Sequence, residues 1–120
     1  MLQYFGGKSL ITQSHGQSLM SYFQSRYNIK GLYFLDEPET ALSPSSLIEL
    51  LNLLIKISWQ GHAQFIIATH SPFLMACPDA LIYSFDTPVI EPILYEDTQY
   101  YKIYKNFMAH PEKFIKQSQV

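Results

Sequence analysis

The sequence predicts an α/β layered fold in which a mostly parallel sheet is flanked by helices. Residues 32–35 and 64–69 are short, continuous apolar runs of the kind found in buried strands. A long helical pattern beginning at Ser43 lies between them. Because strand, helix and strand in this order form a crossover connection, we expect the two strands to pair in parallel.

The elements up to residue 59 follow from hydrophobic spacing and from helix start and stop signals. Apolar side chains recur at helical spacing through residues 17–28, which predicts an amphipathic helix. Residues 32–35 then predict a strand buried on both faces. Ser43 followed by Pro44 is a strong helix start, and the helix is expected to run to about Trp59 with apolar residues on most sides.

The second half of the chain predicts more strands and two closing helices. After the strand at residues 64–69, residues 79–85 suggest a third buried strand. Residues 89–95 predict a further strand, antiparallel at an edge, where Pro92 is tolerated. Aromatic and apolar residues spaced along 100–108 predict one helix, and residues 111–117 a short second one.

Composition limits the class of protein. The chain has 120 residues, of which 48% are hydrophobic and 15% charged, as expected of a single globular domain. A net charge of −2 gives no indication of nucleic-acid or anionic-membrane binding. Apolar runs fall well short of the ~20 residues that cross a bilayer, and no signal peptide is recognisable, so we expect a cytoplasmic protein.

Chemistry-bearing residues follow both predicted parallel strands. Asp36 and Glu37 end the first strand, and His70 follows the second. An acidic pair before proline also occurs in solvated turns, and a lone histidine after a strand is often structural. Ligands bind at the carboxyl ends of parallel strands, however, and here two such ends converge. One carboxylate could hold Mg²⁺ while the other orients or deprotonates a water.

On these residues the sequence resembles the ABC-type ATPase superfamily, in particular its soluble predicted-ATPase branch related to the RecF and chromosome-maintenance ATPases. Residues 32–37 look like the Walker B strand. The resemblance implies that Asp36 contributes to the Mg²⁺ shell, that Glu37 is the catalytic carboxylate that polarises the attacking water, and that His70 is the switch histidine that senses the γ-phosphate. It implies a P-loop NTPase fold, ATP and Mg²⁺.

Two further segments extend the resemblance. Ser14, His15, Gly16 and Gln17 look like the signature motif, which in such dimers contacts the nucleotide held by the opposite subunit. A helix N-terminus beside a hydroxyl suits that phosphate contact. Residues 40–43, ending in Ser43, look like the D-loop at the subunit interface. His15 and Ser43 replace the glycine and aspartate of the better-known motifs, which argues against a membrane transporter.

The phosphate-binding loop of the family is not found in these 120 residues. The required pattern is G-x-x-x-x-G-K-[ST] between a strand and a helix. Gly7-Lys8-Ser9 is only a fragment of it, because Leu2 stands where the first glycine belongs and no strand precedes it. We therefore interpret residues 1–120 as the C-terminal half of an ABC-type ATPase domain and expect weak or no ATP binding by this chain alone.

Three interpretations of an incomplete site are considered. In the first, the chain is part of a split ATPase whose N-terminal half or second subunit supplies the phosphate loop. In the second, it is a catalytically inactive remnant or protein-interaction module. In the third, it is a fragment of a longer ATPase. In the first case, an apolar surface should be exposed and should favour homo-oligomers. A serine hydrolase, a zinc site and a metal-dependent nuclease lack the residue patterns that they require.

Overall fold

The protein is described here by a computed structural model that covers residues 15–116, with side chains from residue 20 onward. It divides into two compact units, Met1–Pro78 and Asp79–Val120. The first contains α1 (His15–Arg26), β1 (Gly31–Asp36), a 3₁₀ helix (Pro38–Ala41), α2 (Pro44–Gln60), β2 (Ala63–Ala68) and the single turn α3 (Pro72–Met75).

β1 and β2 pair in parallel, which confirms the predicted crossover. Their register runs from Gly31 opposite Ala63 to Asp36 opposite Ala68, so both strands end at the same edge of the sheet. α2 connects them, as a parallel pair requires. The residues that follow Asp36 and Ala68 are therefore neighbours in space although more than thirty positions separate them in the chain.

The helix predicted from Ser43 is present as α2 and has well-defined ends. The Ser43 side chain accepts a hydrogen bond from the backbone N–H of Ser46, and Pro44 occupies the first helical turn. At the other end Gly61 has φ 81°, a left-handed conformation that glycine adopts without a steric penalty. These two signals explain why the sequence located both ends of α2 closely.

The hydrophobic core of the first unit lies between the helices and one face of the sheet. Among the residues that the structure describes, α2 contributes four of the eight buried hydrophobic residues, and α1, the turn after it, β1 and α3 supply the others. Leu50 is fully buried, at 0% exposure. Tyr27, in the turn directly after α1, lies at the centre of an aromatic cluster: its ring is stacked on Phe23 and edge-on to Tyr33 and Phe65. The buried hydrophobic residues are Phe23, Tyr27, Leu35, Leu47, Leu50, Leu54, Ile57 and Leu74.

The prediction that β1 is buried on both faces is wrong for the part of the chain that the structure describes. Tyr33 and Leu35 face the core, but Leu32, Phe34 and, on β2, Ile66 are exposed. The physical reason is that α1 and α2 both pack on the same face of this two-stranded sheet and leave these three side chains of the other face exposed. We call the apolar surface formed by Leu32, Phe34 and Ile66 the open sheet face.

The second unit is an antiparallel hairpin followed by a helix. β3 (Ile82–Ser84) pairs with β4 (Glu91–Ile93), and Pro92 lies within β4, as predicted for an edge strand. α4 (Gln99–Ala109) confirms the predicted aromatic helix, and Thr98 caps its N-terminus. The segment predicted as a closing helix contains the 3₁₀ helix Pro111–Lys113.

The third parallel strand predicted at residues 79–85 is wrong. Only Ile82–Ser84 is extended, and it pairs antiparallel with β4. Because β4 follows within a few residues, local hairpin pairing satisfies the backbone of β3 without a crossover. Tyr83 and Phe85 are exposed rather than buried. None of the helices in residues 15–116 combines the length and apolar character needed to cross a membrane.

Candidate functional site

The candidate site lies where β1 and β2 end. Asp36 is the last residue of β1, and Ala68 is the last residue of β2. The backbone N–H of Glu37 donates to the carbonyl oxygen of Ala68 at 2.7 Å, which extends the pairing by one residue. The chain segments that carry the predicted site residues Asp36, Glu37 and His70 are thus held side by side.

Asp36 and Glu37 leave the strand in different directions. The alternation of side chains along β1 places Asp36 on the same side as Leu32 and Phe34, and its side chain is exposed. Glu37 has φ 47° and ψ 57°, a left-handed conformation that is uncommon for a non-glycine residue. This conformation turns the chain sharply into the 3₁₀ helix Pro38–Ala41. Thr40 stabilises the turn by donating its backbone N–H and its hydroxyl to the Glu37 carbonyl.

Glu37 and His70, two residues predicted from the sequence, are in contact. The distance from His70 Nδ1 to Glu37 Oε1 is 3.1 Å. Both side chains are accessible to solvent, with 60% of His70 and 46% of Glu37 exposed. Because a carboxylate can only accept hydrogen bonds, Nδ1 of His70 is the donor when Glu37 is ionised. The pair is a hydrogen bond when the imidazole is neutral and an ion pair when it is protonated.

Glu39 is part of this cluster and was not predicted. Its Oε1 accepts a hydrogen bond from the hydroxyl of Thr69 at 2.7 Å, and its Oε2 accepts one from the backbone N–H of His70 at 3.1 Å. Thr69 Oγ1 in turn accepts from the N–H of Ser71 at 3.0 Å. A signal was available in the sequence, because a second acidic residue follows Glu37 by two positions and hydroxyl residues flank His70.

The cluster has limited capacity to hold a metal ion. Potential ligand atoms of Glu37, Glu39 and His70 all lie within 4.8 Å of one another. However, both oxygens of Glu39 already accept hydrogen bonds, and Mg²⁺ prefers oxygen ligands to imidazole. The exposed carboxylate of Asp36 at the strand end offers the donor type that Mg²⁺ requires, which fits its predicted role without testing it.

The remaining predicted site residues are placed as follows. Ser14 lies outside the described residues. His15, Gly16 and Gln17 form the first turn of α1, as expected for a helix-opening motif, but their side chains are not described. Ser43 caps α2, and its hydroxyl oxygen also lies 3.1 Å from Ser46 Oγ. The structure does not bring Ser43 into the Glu37 and His70 cluster, and its role at a subunit interface stays a prediction.

Comparison with known proteins gives one family match. Residues 18–76 match the family model described as "AAA domain, putative AbiEii toxin, Type IV TA system". The matched segment runs from α1 to the residue after α3 and includes the whole candidate site except residues 14–17. The match supports a P-loop ATPase-like superfamily, and the observed α/β architecture is compatible with part of such a fold. No curated protein matches the chain.

Proposed function

We propose that this chain carries the hydrolysis half of an Mg²⁺-dependent ABC-type ATPase site. The proposal rests on the 3.1 Å contact between Glu37 Oε1 and His70 Nδ1 at the adjacent ends of two parallel strands. An acidic residue and a histidine at neighbouring strand ends suit the control of a water that attacks a γ-phosphate. The family match over residues 18–76 supports a nucleotide-binding domain of this general type.

In the proposed mechanism each residue of the cluster has one task. Asp36 would hold Mg²⁺ through its carboxylate, and the ion, when bound, would supply neutralisation of the charge on the phosphate oxygens. Glu37 accepts a hydrogen bond from the attacking water and orients it. A carboxylate offers about four lone-pair positions, so Glu37 can accept from a water while it keeps the bond to His70. His70 senses the γ-phosphate from the neighbouring strand end.

The proposal requires a phosphate-binding loop from outside these 120 residues. That segment belongs either to another part of the same protein or to a second subunit. In a dimer, the motif at residues 14–17 would act on nucleotide held by the opposite subunit, because backbone N–H groups at a helix N-terminus suit phosphate binding. Ser43 lies at the start of α2 and reaches the same interface in this arrangement.

We propose that the segment that carries the phosphate-binding loop packs on the open sheet face. Leu32, Phe34 and Ile66 form an exposed apolar surface on the sheet that carries Asp36 and Glu37. Burying such a surface stabilises an assembly by about 25 cal/mol per Å² of apolar area. In the absence of that segment, the same surface favours association between copies of this chain.

The first experiment is a calorimetric titration of Mg-ATP into the chain alone, with Glu37→Gln alongside to retain any nucleotide that binds. We expect no measurable binding by either protein, because no lysine and backbone cradle neutralise the triphosphate. Micromolar binding would contradict the need for an external phosphate loop.

The second experiment measures ATP turnover after adding a segment that contains G-x-x-x-x-G-K-[ST], encoded upstream of this chain or as a second subunit. Glu37→Gln should lower turnover by about 10²–10⁴-fold, as for the loss of an acid–base group. Glu49→Gln, on an exposed position of α2, is the matched control and should leave turnover unchanged. Turnover that survives Glu37→Gln would overturn the assigned role.

The open sheet face also supports a second candidate, an inactive ATPase remnant that serves as a protein-interaction module. This function needs the apolar surface of Leu32, Phe34 and Ile66 but not the carboxylate of Glu37. It predicts that a partner binds with equal affinity to the original chain and to Glu37→Gln, and that the complex hydrolyses no ATP. Turnover by the complex would exclude it.

A further inference from the structure

We propose that Glu39 is a positioning residue that fixes the loop after β2 and so holds the His70 ring against Glu37. The inference rests on the proposed function for its meaning, since it deepens the account of the same site. It stands on hydrogen bonds that involve Glu39, Thr69 and His70 and on no property of the nucleotide.

The Glu39 carboxylate joins the two strand-end loops. Oε1 accepts from the Thr69 hydroxyl at 2.7 Å, and Oε2 accepts from the His70 backbone N–H at 3.1 Å. Hydrogen bonds to a carboxylate are roughly twice as strong as neutral ones. The two hydrogen bonds hold the consecutive residues Thr69 and His70. They therefore restrict both the position and the orientation of the backbone from which the His70 ring extends.

Glu39 is itself held in place. It lies in the 3₁₀ helix that begins after Glu37, and its backbone carbonyl accepts from the N–H of Leu42 at 3.1 Å. On the opposite loop, the N–H of Ser71 donates to Thr69 Oγ1, and the hydroxyl of Ser71 caps α3. Ser71 is buried. The carboxylate therefore connects two segments that are each anchored to a helix.

The two oxygens of Glu39 accept one hydrogen bond each, from Thr69 and from His70. Glutamine would remove neither contact, because its oxygen can accept from the His70 N–H while its NH₂ group donates to the second lone pair of Thr69 Oγ1. Methionine has a similar length and carries no oxygen, so Glu39→Met keeps much of the side-chain packing and loses both hydrogen bonds. Thr69→Val removes the hydroxyl donor while it keeps the branched side chain, and it also removes the acceptor of the Ser71 N–H. These two substitutions weaken the connection without removing packing.

The consequence for His70 is a defined proton position. With the loop fixed, Nδ1 lies 3.1 Å from Glu37 Oε1 and carries the proton in the neutral ring, so Nε2 is the acceptor nitrogen. When the loop is released, the ring loses the carboxylate that selects this tautomer. A residue with only a structural role would alter the free energy of unfolding but would not change the His70 tautomer in the folded chain.

The test is nuclear magnetic resonance on the nucleotide-free 120-residue chain with ¹⁵N-labelled histidine, in which His70→Gln assigns the ring signals. The ring ¹⁵N shifts report the tautomer, and amide hydrogen exchange reports the His70 N–H. We expect Glu39→Ala and Glu39→Met to move the ring away from the Nδ1–H tautomer and to raise His70 amide exchange, by about 10-fold for Glu39→Ala. Glu49→Gln should change neither.

Glu37→Asn separates ring from backbone effects. Asparagine tolerates the left-handed backbone, but its side chain is too short to accept from His70 Nδ1. The His70 ring should therefore lose its preference for the Nδ1–H tautomer, while the His70 amide should stay protected from exchange. If Glu39→Ala raises exchange throughout α2 because the variant unfolds, Glu39→Met with α2 protection intact provides the comparison. Wild-type tautomer and His70 exchange in folded Glu39→Met and Thr69→Val would overturn the proposal. Since no nucleotide is present in this test, an absence of ATP turnover by the complex with the phosphate-loop segment would count against the proposed function alone.

Discussion

The backbone N–H of Glu37 donates a 2.7 Å hydrogen bond to the carbonyl oxygen of Ala68, one residue beyond the last paired position of β1. At the same residue the backbone turns into the left-handed region, with φ 47°. The bond retains Glu37 on the end of the parallel pair while the turn redirects its side chain. This combination brings Glu37 to His70, although Asp36 precedes it by one position and lies on the side of the open sheet face.

The first prediction concerns this left-handed backbone. Glu37→Gly should be more stable than Glu37→Ala by about 1 kcal/mol, because alanine is strained at positive φ and glycine is not. Both variants lack the carboxylate, so their difference reports the backbone alone. The free energy of unfolding in urea gives the comparison. An alanine variant as stable as the glycine variant would show that this residue is not left-handed in solution.

The second prediction concerns the centre of the core. Leu50→Ala should reduce the free energy of unfolding by about 2–5 kcal/mol, because the side chain is fully buried and its loss leaves a cavity. Ile48→Ala, at an exposed position of the same helix, should cost less than about 1 kcal/mol and serves as the control. Equal losses in the two variants would contradict the orientation of α2.

Local signals in the sequence predicted the first unit well. Ser43, Pro44 and Gly61 gave the ends of α2, and two apolar runs on either side of it gave a parallel pair. Since parallel strands end at one edge, the contact of Glu37 with His70 followed from the same reasoning. These features depend on short-range chemistry and on a nearly invariant rule of chain connection.

Other features depended on information that a single apolar run does not carry. A run such as residues 32–35 is the same whether one or two layers cover the strand, so the run alone does not indicate that Phe34 is exposed. The antiparallel pairing of β3 with β4 reflects competition between a local hairpin and a distant partner. Glu39 was missed although the sequence shows an acidic residue two positions after Glu37, because only the folded chain shows that its oxygens meet Thr69 and His70.

The third prediction tests the cap of α2. Ser43→Ala should destabilise the chain by about 1 kcal/mol, because the hydroxyl oxygen accepts from the Ser46 N–H at the helix start. Ser58→Ala, at an exposed position near the other end of α2, should have a much smaller effect. Thermal and urea unfolding provide the measurement. No loss on Ser43→Ala would exclude the capping interaction.

The fourth prediction concerns alkaline pH. Burial raises the pKa of Tyr27 from 10.0 to about 12, with a smaller contribution from Tyr22. Below pH 10 the phenol is protonated in both the folded and the unfolded chain, so ionisation of Tyr27 does not change the free energy of unfolding. Between pH 10 and about 12 only the unfolded chain loses the proton, so the free energy of unfolding falls by at most about 1.4 kcal/mol per pH unit.

Tyr27→Phe removes this dependence while it keeps the ring among Phe23, Tyr33 and Phe65. The variant should therefore lose less stability than the original chain between pH 10 and 12, measured by urea unfolding at each pH. Tyr83→Phe, at an exposed position of β3, is the control and should follow the original chain. Parallel curves for Tyr27→Phe and the original chain would contradict a raised pKa.

The last prediction concerns the open sheet face. Phe34 is 72% exposed and lies at its centre, so Phe34→Ser should reduce self-association of the isolated chain, measured as the average mass in sedimentation over a concentration series. The free energy of unfolding should change little, because the ring contributes little to the core. Trp59→Ser removes a ring that is 77% exposed at the end of α2 and controls for general loss of surface hydrophobicity. Association that falls with Trp59→Ser but not with Phe34→Ser would place the contact surface on the helix rather than on the sheet.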